Sequence, residues 1–488
     1  MPALRRIATA VMCATLAAGI SAVVEPTASA AAATCSPTGS AARYLVVFDR
    51  GTPTRQAAEQ ITSACGSTTI YYPEIAVAVA RSADADFAGR IGRHRVYSPL
   101  PPASNGITEG TAKPADPVDL SEGTHAATAA DRTGAQWDMR MIGAPAAHRI
   151  TEGSRNVVVG VLDSGIDRDQ PELARALAPS LSAGCVSGAP DTAADAWTPS
   201  TSTHGTQVAG IIAAADDGKG ITGVAPGVRL ASVKVVNDRG YIYPAAVVCG
   251  LMWAARHHFT LTNNSYFVDP WLFTCANAMG QGVIYEAVRR AAGFARAQGV
   301  LNVAAAGNEG ANLTDTDRDT TSPDNVAASA RQDRALGPDC AVLPAGLRGV
   351  LTVSAVGAGR VKAGYSSYGL GAIAVTAPGG DQRSRCVLTT VPGGYSPACG
   401  TSIAAPHVTG VIALLASTHP HAGPSQLTSM LEAQARPVAC PDNYDLSGTG
   451  AQDGYCAGYR AYNGFYGHGM VDALAAVLPG PRAHLDVR

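Results

Sequence analysis

From residue 156 onward the chain carries runs of consecutive apolar, largely β-branched residues: Asn156–Leu162, Leu230–Val236, Val300–Ala305, Val350–Val356 and Ile373–Thr376. A strand with one wet face alternates apolar and polar residues, so a run without alternation has both faces covered. Helical stretches lie between the runs, at Thr206–Ala215, Ala245–Arg256 and Val283–Ala297. Strands alternating with helices predict an α/β fold, a parallel sheet with helices on both faces. The apolar share of 46% suffices for a large core. A further apolar stretch, Ile403–Ala416, has the length and the Ala and Leu content of a buried helix. Residues 311–339 form a polar insertion, expected as a surface loop.

The N-terminal part has a different organisation. Residues 43–48 and 75–80 predict strands, 54–64 and 83–91 helices, and 95–97 an edge strand, with an extra strand near 69–71. That order predicts a small α+β unit with helices on one face. Residues 98–135 are dominated by Pro, Ala, Thr, Gly and Asp and predict a flexible linker. Arg5 and Arg6, the apolar run Ile7–Val24 and the small residues Ala28-Ser29-Ala30 have the layout of a secretory signal. The rival is an uncleaved anchor, since the run nears bilayer length; its Ala and Thr content and its small-residue exit favour cleavage. No later stretch reads as a membrane span. The expected domains are therefore a signal (1–30), an N-terminal α+β unit (35–97), a linker (98–135), a large α/β domain (136–478) and a tail (479–488).

A net charge of −2, without basic excess or charge runs, gives no footing for nucleic acid. Losing Cys13 with the signal leaves ten cysteines, an even number suited to an oxidising compartment. Proximity pairs Cys35–Cys65, Cys386–Cys399 and Cys440–Cys456. The other four pair as Cys185–Cys249 and Cys275–Cys340, or remain buried thiols.

The chemistry collects at the ends of elements. Asp163-Ser164-Gly165 closes the first apolar run, at the strand end where α/β sheets form sites. His204-Gly205-Thr206 opens the next helix, and histidine is the side chain whose ordinary range lies near neutrality and is readily tuned, as a general base requires. Ala306-Gly307-Asn308 ends another strand with a side-chain amide donor. Gly400-Thr401-Ser402 opens the last apolar helix, where backbone N–H groups lack partners and the dipole favours negative charge. Taken singly, Asp163 is a turn residue, His204 an interior histidine, Asn308 a loop asparagine and Ser402 an N-cap. Taken together they supply a nucleophile, a base, an orienting acid and an oxyanion donor.

In these motifs the chain resembles the subtilases, the subtilisin-like serine peptidases, over about residues 136–475. The resemblance implies a subtilisin-like three-layer α/β domain hydrolysing peptide bonds through an acyl-enzyme. It assigns Ser402 as nucleophile, His204 as base, Asp163 as its partner and Asn308, with the Ser402 N–H, as the oxyanion hole. An α/β-hydrolase would place its Ser before its His, and here the His comes first. The acid-acting relatives carry Glu for the His and Asp for the Asn, so His204 and Asn308 imply activity near neutral pH. Residues 43–97 are similar to the propeptide inhibitor that precedes many subtilases, a cis-acting partner removed on maturation.

For substrate binding the resemblance implies Ser265, Tyr266 and Phe267 on one side, and residues 238–243, with Gly240 and Tyr241, as an opposing strand. Phe267 stands where glycine is usual and should narrow the pocket; ordinary core packing is the alternative for Tyr266 and Phe267. No cofactor is required. Calcium is common in the family, but Asp315, Asp317 and Asp319 lack the Gly and Glu of a helix-loop-helix calcium loop, with Thr320 and Val326 at those positions, so a calcium site stays unplaced. No zinc-ligand spacing occurs. The expectation is a secreted serine endopeptidase acting on protein or peptide, with no membrane contact once the signal is gone. The alternatives are a catalytically weak scaffold binding a secreted partner, or a maturation peptidase with one target.

Overall fold

The computed structural model describes residues 35–99, 113, 125–126 and 130–479. The expected signal, Cys13, most of the linker and the tail beyond residue 479 lie outside them. The N-terminal elements are β1 (Pro37–Val47), α1 (Thr54–Ser63), β2 (Ser67–Tyr72), β3 (Val77–Asp84), α2 (Phe87–Ile91) and β4 (Val96–Tyr97). The strands pair antiparallel in the order β2-β3-β1-β4. The expected helix from residue 83 starts later, because β3 continues to Asp84 in register with β1. Side chains alternate across this sheet, as the strand period requires. Tyr44, Val46 and Ala78 pack under Ile61 and Phe87 of the two helices. Leu45, Val77 and Val79 turn the other way, into a core shared with the large domain.

The large domain contains β5 (Val158–Asp163), β6 (Ala183–Gly184), α3 (His204–Ala213), β7 (Arg229–Lys234), α4 (Pro244–Arg256), β8 (Leu261–Asn264), α5 (Gln281–Ala297), β9 (Leu301–Ala305), β10 (Val350–Val356), β11 (Val375–Pro378) and α6 (Thr401–Thr418). Its seven strands are all parallel, in the order β11-β10-β9-β8-β5-β7-β6. Each expected apolar run is a strand, and the layers are the expected ones. Val159 and Val161 face one core with α3 and α6. Val158 and Leu162 face the other, with α4 and α5. Strand β8 has no counterpart among the apolar runs, because two of its four residues are asparagine. Their amides are satisfied inside: Thr409 Oγ1 donates to Asn263 Oδ1 at 2.9 Å, and Asn264 Nδ2 donates to Thr262 Oγ1 at 2.9 Å.

Helix α6 is long and apolar enough to cross a membrane by length and composition, but it is buried within the fold, a core helix flanked by sheet and α3. The disulfides Cys185–Cys249, Cys275–Cys340, Cys386–Cys399 and Cys440–Cys456 follow the pairing expected from the sequence. Cys35 and Cys65 are each disulfide-bonded as well. The 311–339 insertion is more ordered than a plain loop, with Arg318–Asp319 pairing antiparallel to Arg334–Ala335.

Between β10 and β11 lies Lys362, 2% exposed. Its ammonium donates to the carbonyls of Ala363 at 2.9 Å and Ser366 at 2.6 Å, yet burial outweighs these contacts and pushes its pKa from 10.5 down to about 7. Between those values the unfolded chain binds more protons than the folded one, so this group makes stability rise with pH across that window. In Lys362→Met the slope of unfolding free energy against pH should fall by up to about 1.4 kcal/mol per pH unit. Urea titrations at pH 7.5, 8.5 and 9.5 check this, and an unchanged slope would refute it.

Candidate active site

Asp163 is the last residue of β5 and His204 the first of α3, and two glycines let these ends meet. A Cβ on Gly205 would lie 2.4 Å from the Gly165 carbonyl oxygen. Gly165 has φ +102°, and a Cβ there would press on Thr198 backbone at 2.6 Å. The glycines following Asp163 and His204 are thus demanded by this close approach. Ser164 Oγ accepts from Gly205 N at 2.9 Å, pinning the strand end to the helix start.

His204 Nδ1 lies 2.9 Å from Asp163 Oδ1 and 2.9 Å from Oδ2. Asp163 is 2% exposed, and its Oδ1 also accepts from Ser164 N at 2.7 Å. A carboxylate against Nδ1 places the ring proton there and leaves the Nε2 lone pair as the basic end. Ser402 lies in the first turn of α6, and its N–H is among those without an intrahelical acceptor. Asn308 Oδ1 accepts from Thr401 N at 2.9 Å and from Thr401 Oγ1 at 2.8 Å, which orients the amide. A Cβ on Gly400 would sit 2.9 Å from Ser402 Oγ and 3.5 Å from Asn308 Nδ2. The space that Gly400 leaves open is therefore flanked by a hydroxyl and an amide donor, the surroundings an acyl carbon needs. Asp163, His204, Asn308 and Ser402 all line one cavity of about 480 Å³.

With the Oδ1 end held by Thr401, Asn308→Ala should remove one donor and lower kcat by about 10²–10³-fold. KM should change little, because the oxyanion forms only on the way to the tetrahedral intermediate. Steady-state kinetics on a peptide anilide check it; a loss confined to KM would remove Asn308 from this role.

Gly240, Ser265, Tyr266 and Phe267 also line the cavity. Ser265 Oγ donates to Ser402 O at 2.9 Å, tying the residue after β8 to the helix of the nucleophile candidate. Tyr266 hydroxyl donates to Asn264 Oδ1 at 2.9 Å, and burial raises its phenol pKa. Phe267 packs beside Leu272 and Phe273 while its ring faces the cavity. Tyr241 is placed otherwise than expected: it does not line the cavity, is 2% exposed, and stacks on Tyr243 at 5.8 Å. Nor do residues 238–243 form a strand; 238–240 make a turn in which Asn237 Oδ1 accepts from Arg239 N and Tyr241 N.

The alternating acidic residues do not fit a calcium trio. Asp319 is buried and its carboxylate is taken by Arg334 at 2.5 Å and by Thr321 and Ser322, while Asp315 and Asp317 are exposed. Asp319 ionises more readily than usual despite burial, held down by these bonds. The cavity also holds residues that no sequence signal marked. Lys113, from the linker, enters it and faces Asp269 and Asp324.

The sequence profile of the Subtilase family matches residues 154–469. Fervidolysin of Fervidobacterium pennivorans is 31% identical over 379 residues, 71% of this chain and 44% of its own length. Subtilisin DY of Bacillus licheniformis is 31% identical over 280 residues, 57% of this chain and 84% of its own. The chain thus spans less than half of fervidolysin. The epidermin leader peptide processing serine protease of Staphylococcus aureus shares the fold, with TM-score 0.64 and 19% identity over 90% of this chain and 98% of that one. A lanthipeptide protease does so with TM-score 0.53 and 24% identity over 70% of this chain and 93% of that one.

Proposed function

The chain belongs to the subtilase family and is a serine-type peptidase, and from that premise we propose that it is a secreted endopeptidase working through Asp163, His204 and Ser402. The observation that carries this reading is the pairing of His204 Nδ1 with the buried Asp163 carboxylate at 2.9 Å, in a cavity shared with Ser402 at a helix N-terminus. In the proposed reaction His204 Nε2 takes the Ser402 proton as Oγ attacks the carbonyl carbon. The oxygen becomes an oxyanion beside the Asn308 amide and the Ser402 N–H. His204 then gives its proton to the leaving amine, and the same imidazole activates the water that breaks the acyl-enzyme. Subtilases need no organic cofactor for this chemistry.

Residues 35–97 are proposed as an inhibitory prosegment and folding aid. Its sheet lies on α5, where Arg290 Nη1 donates to the carbonyls of Phe48 at 2.8 Å and Ile75 at 3.0 Å. Arg256 of α4 meets Glu74 at 2.9 Å. The maturation point is proposed within 98–135. Narrow specificity is favoured by the Phe267 ring, which lines the groove where glycine is usual, and the fold is shared with a leader-peptide-processing enzyme. A single co-secreted protein target is therefore the preferred substrate class over broad digestion. The scaffold alternative differs in having no activated serine.

N-terminal sequencing of the secreted protein beside its Ser402→Ala variant tests the reading. The native form should begin between residues 98 and 136, and the variant should retain the prosegment. The same N-terminus in both would mean that another peptidase does the processing.

A further inference from the structure

Lys113 approaches the cleft as a bound peptide would. Its N–H donates to the Arg239 carbonyl at 2.9 Å, on the segment facing the groove. Its side chain enters the cavity that His204 and Ser402 line. There Nζ lies 2.5 Å from Asp269 Oδ1 and 2.9 Å from Asp324 Oδ2, with the Phe267 ring centre 4.1 Å away. This is a charge-assisted contact to two carboxylates, with an aromatic face completing the shell.

The pocket is built for that charge. Asp269 is fully buried and fixed at both ends: its Oδ2 accepts from Ile242 N at 2.5 Å, and its own N–H donates to Ile242 O at 3.0 Å. Oδ1 is the oxygen turned to the ammonium. Asp324 is more open, with 15% of its side chain exposed. Two carboxylates this close cannot both stay ionised in a dry site without a cation. Burial first, and Asp324 in addition, push Asp269 well above the usual carboxylate range, while Lys113 pulls it back. A neutral side chain would leave a buried charge uncompensated or force a proton onto it, so the site discriminates against apolar residues. A compact ammonium with three donors reaches both carboxylates at once; a planar guanidinium is matched instead to one carboxylate edge-on.

We infer that the groove contains a lysine-selective subsite formed by Asp269, Asp324 and Phe267, which Lys113 occupies in cis before a lysine of the protein substrate does. It rests on the reading of this cavity as a peptide-binding groove, and adds to it the chemistry of one substrate position. Lys113 is accordingly a removable occupant, and Asp269 and Asp324 are specificity residues that take no part in bond cleavage.

The test uses the full chain with Ser402→Ala and Lys113→Ala, which has no turnover and an emptied pocket. It is titrated by fluorescence anisotropy with hexapeptides carrying one lysine, or one norleucine, at each position in turn. At one position the lysine peptide should bind about 10²-fold tighter than its norleucine counterpart. Asp269→Asn keeps the acceptor for Ile242 N and should abolish the difference; Asp324→Asn, at the more open site, should reduce it and guards against a folding defect in the first. Equal affinity for every lysine and norleucine pair, or no binding at all, overturns the inference, as does a preference that survives both substitutions. Since the nucleophile is absent throughout, the outcome is independent of the catalytic reading, which fluorophosphonate labelling of the native protein decides separately.

Discussion

Ser402→Ala should lower kcat by about 10⁶-fold, the scale seen for subtilisin, and abolish labelling by a fluorophosphonate. The size follows from losing the covalent route altogether, since no acyl-enzyme forms and only binding and the oxyanion donors remain. The fold should be unaffected. Ser402 holds its neighbours through its backbone carbonyl, which accepts from Ser265 Oγ at 2.9 Å, and alanine keeps that carbonyl. Alanine also suits the first turn of α6, which Gly400 caps without a side-chain bond. Thermal unfolding within about 2 °C of the native protein, for a change expected to cost under ~0.5 kcal/mol, would separate lost chemistry from lost structure. A variant retaining more than a thousandth of native turnover would point to a different nucleophile.

Asp163→Asn should cost about 10⁴-fold in kcat, a larger loss than the modest change in shape suggests. The carboxylate accepts from His204 Nδ1 with both oxygens at 2.9 Å and from Ser164 N at 2.7 Å. An asparagine amide can keep the Ser164 bond through its oxygen and present its NH2 to the imidazole. Nδ1 must then be the acceptor, the ring proton moves to Nε2, and the base that should receive the Ser402 proton is gone. In the proposed mechanism the carboxylate would also stabilise the imidazolium in the transition state, which a neutral amide would not do. Asp163 makes no proposed contact with substrate, so KM should stay within a few-fold while labelling by the fluorophosphonate slows along with kcat. A loss below tenfold would show that His204 is oriented by something other than this carboxylate.

The legible parts share a property: each depends on what lies beside it in the chain. Apolar runs such as Asn156–Leu162 announce a doubly covered strand, and the glycines at 165 and 205 follow from the close meeting of one strand end with one helix start. The short strand β8 resisted reading because Asn263 and Asn264 are buried polar residues whose partners, Thr409 and Thr262, become visible only in the folded packing. Tyr241 misled for a related reason. A turn at 238–240 replaces the expected strand, and the ring stacks on Tyr243 with Lys113 Nζ 5.7 Å from its centre, outside the residues that line the cavity.

Short segments were enough to show the three-layer architecture and the family, and to nominate Ser402, His204, Asp163 and Asn308 for the proposed chemistry, since strand patterning and clearance glycines are local features. Only the tertiary structure decided the charge of the groove. Lys113, Asp269 and Asp324 come from three separate stretches with no shared spacing. Their attraction becomes strong where folding removes water and lowers the local dielectric, and linear spacing does not encode that burial.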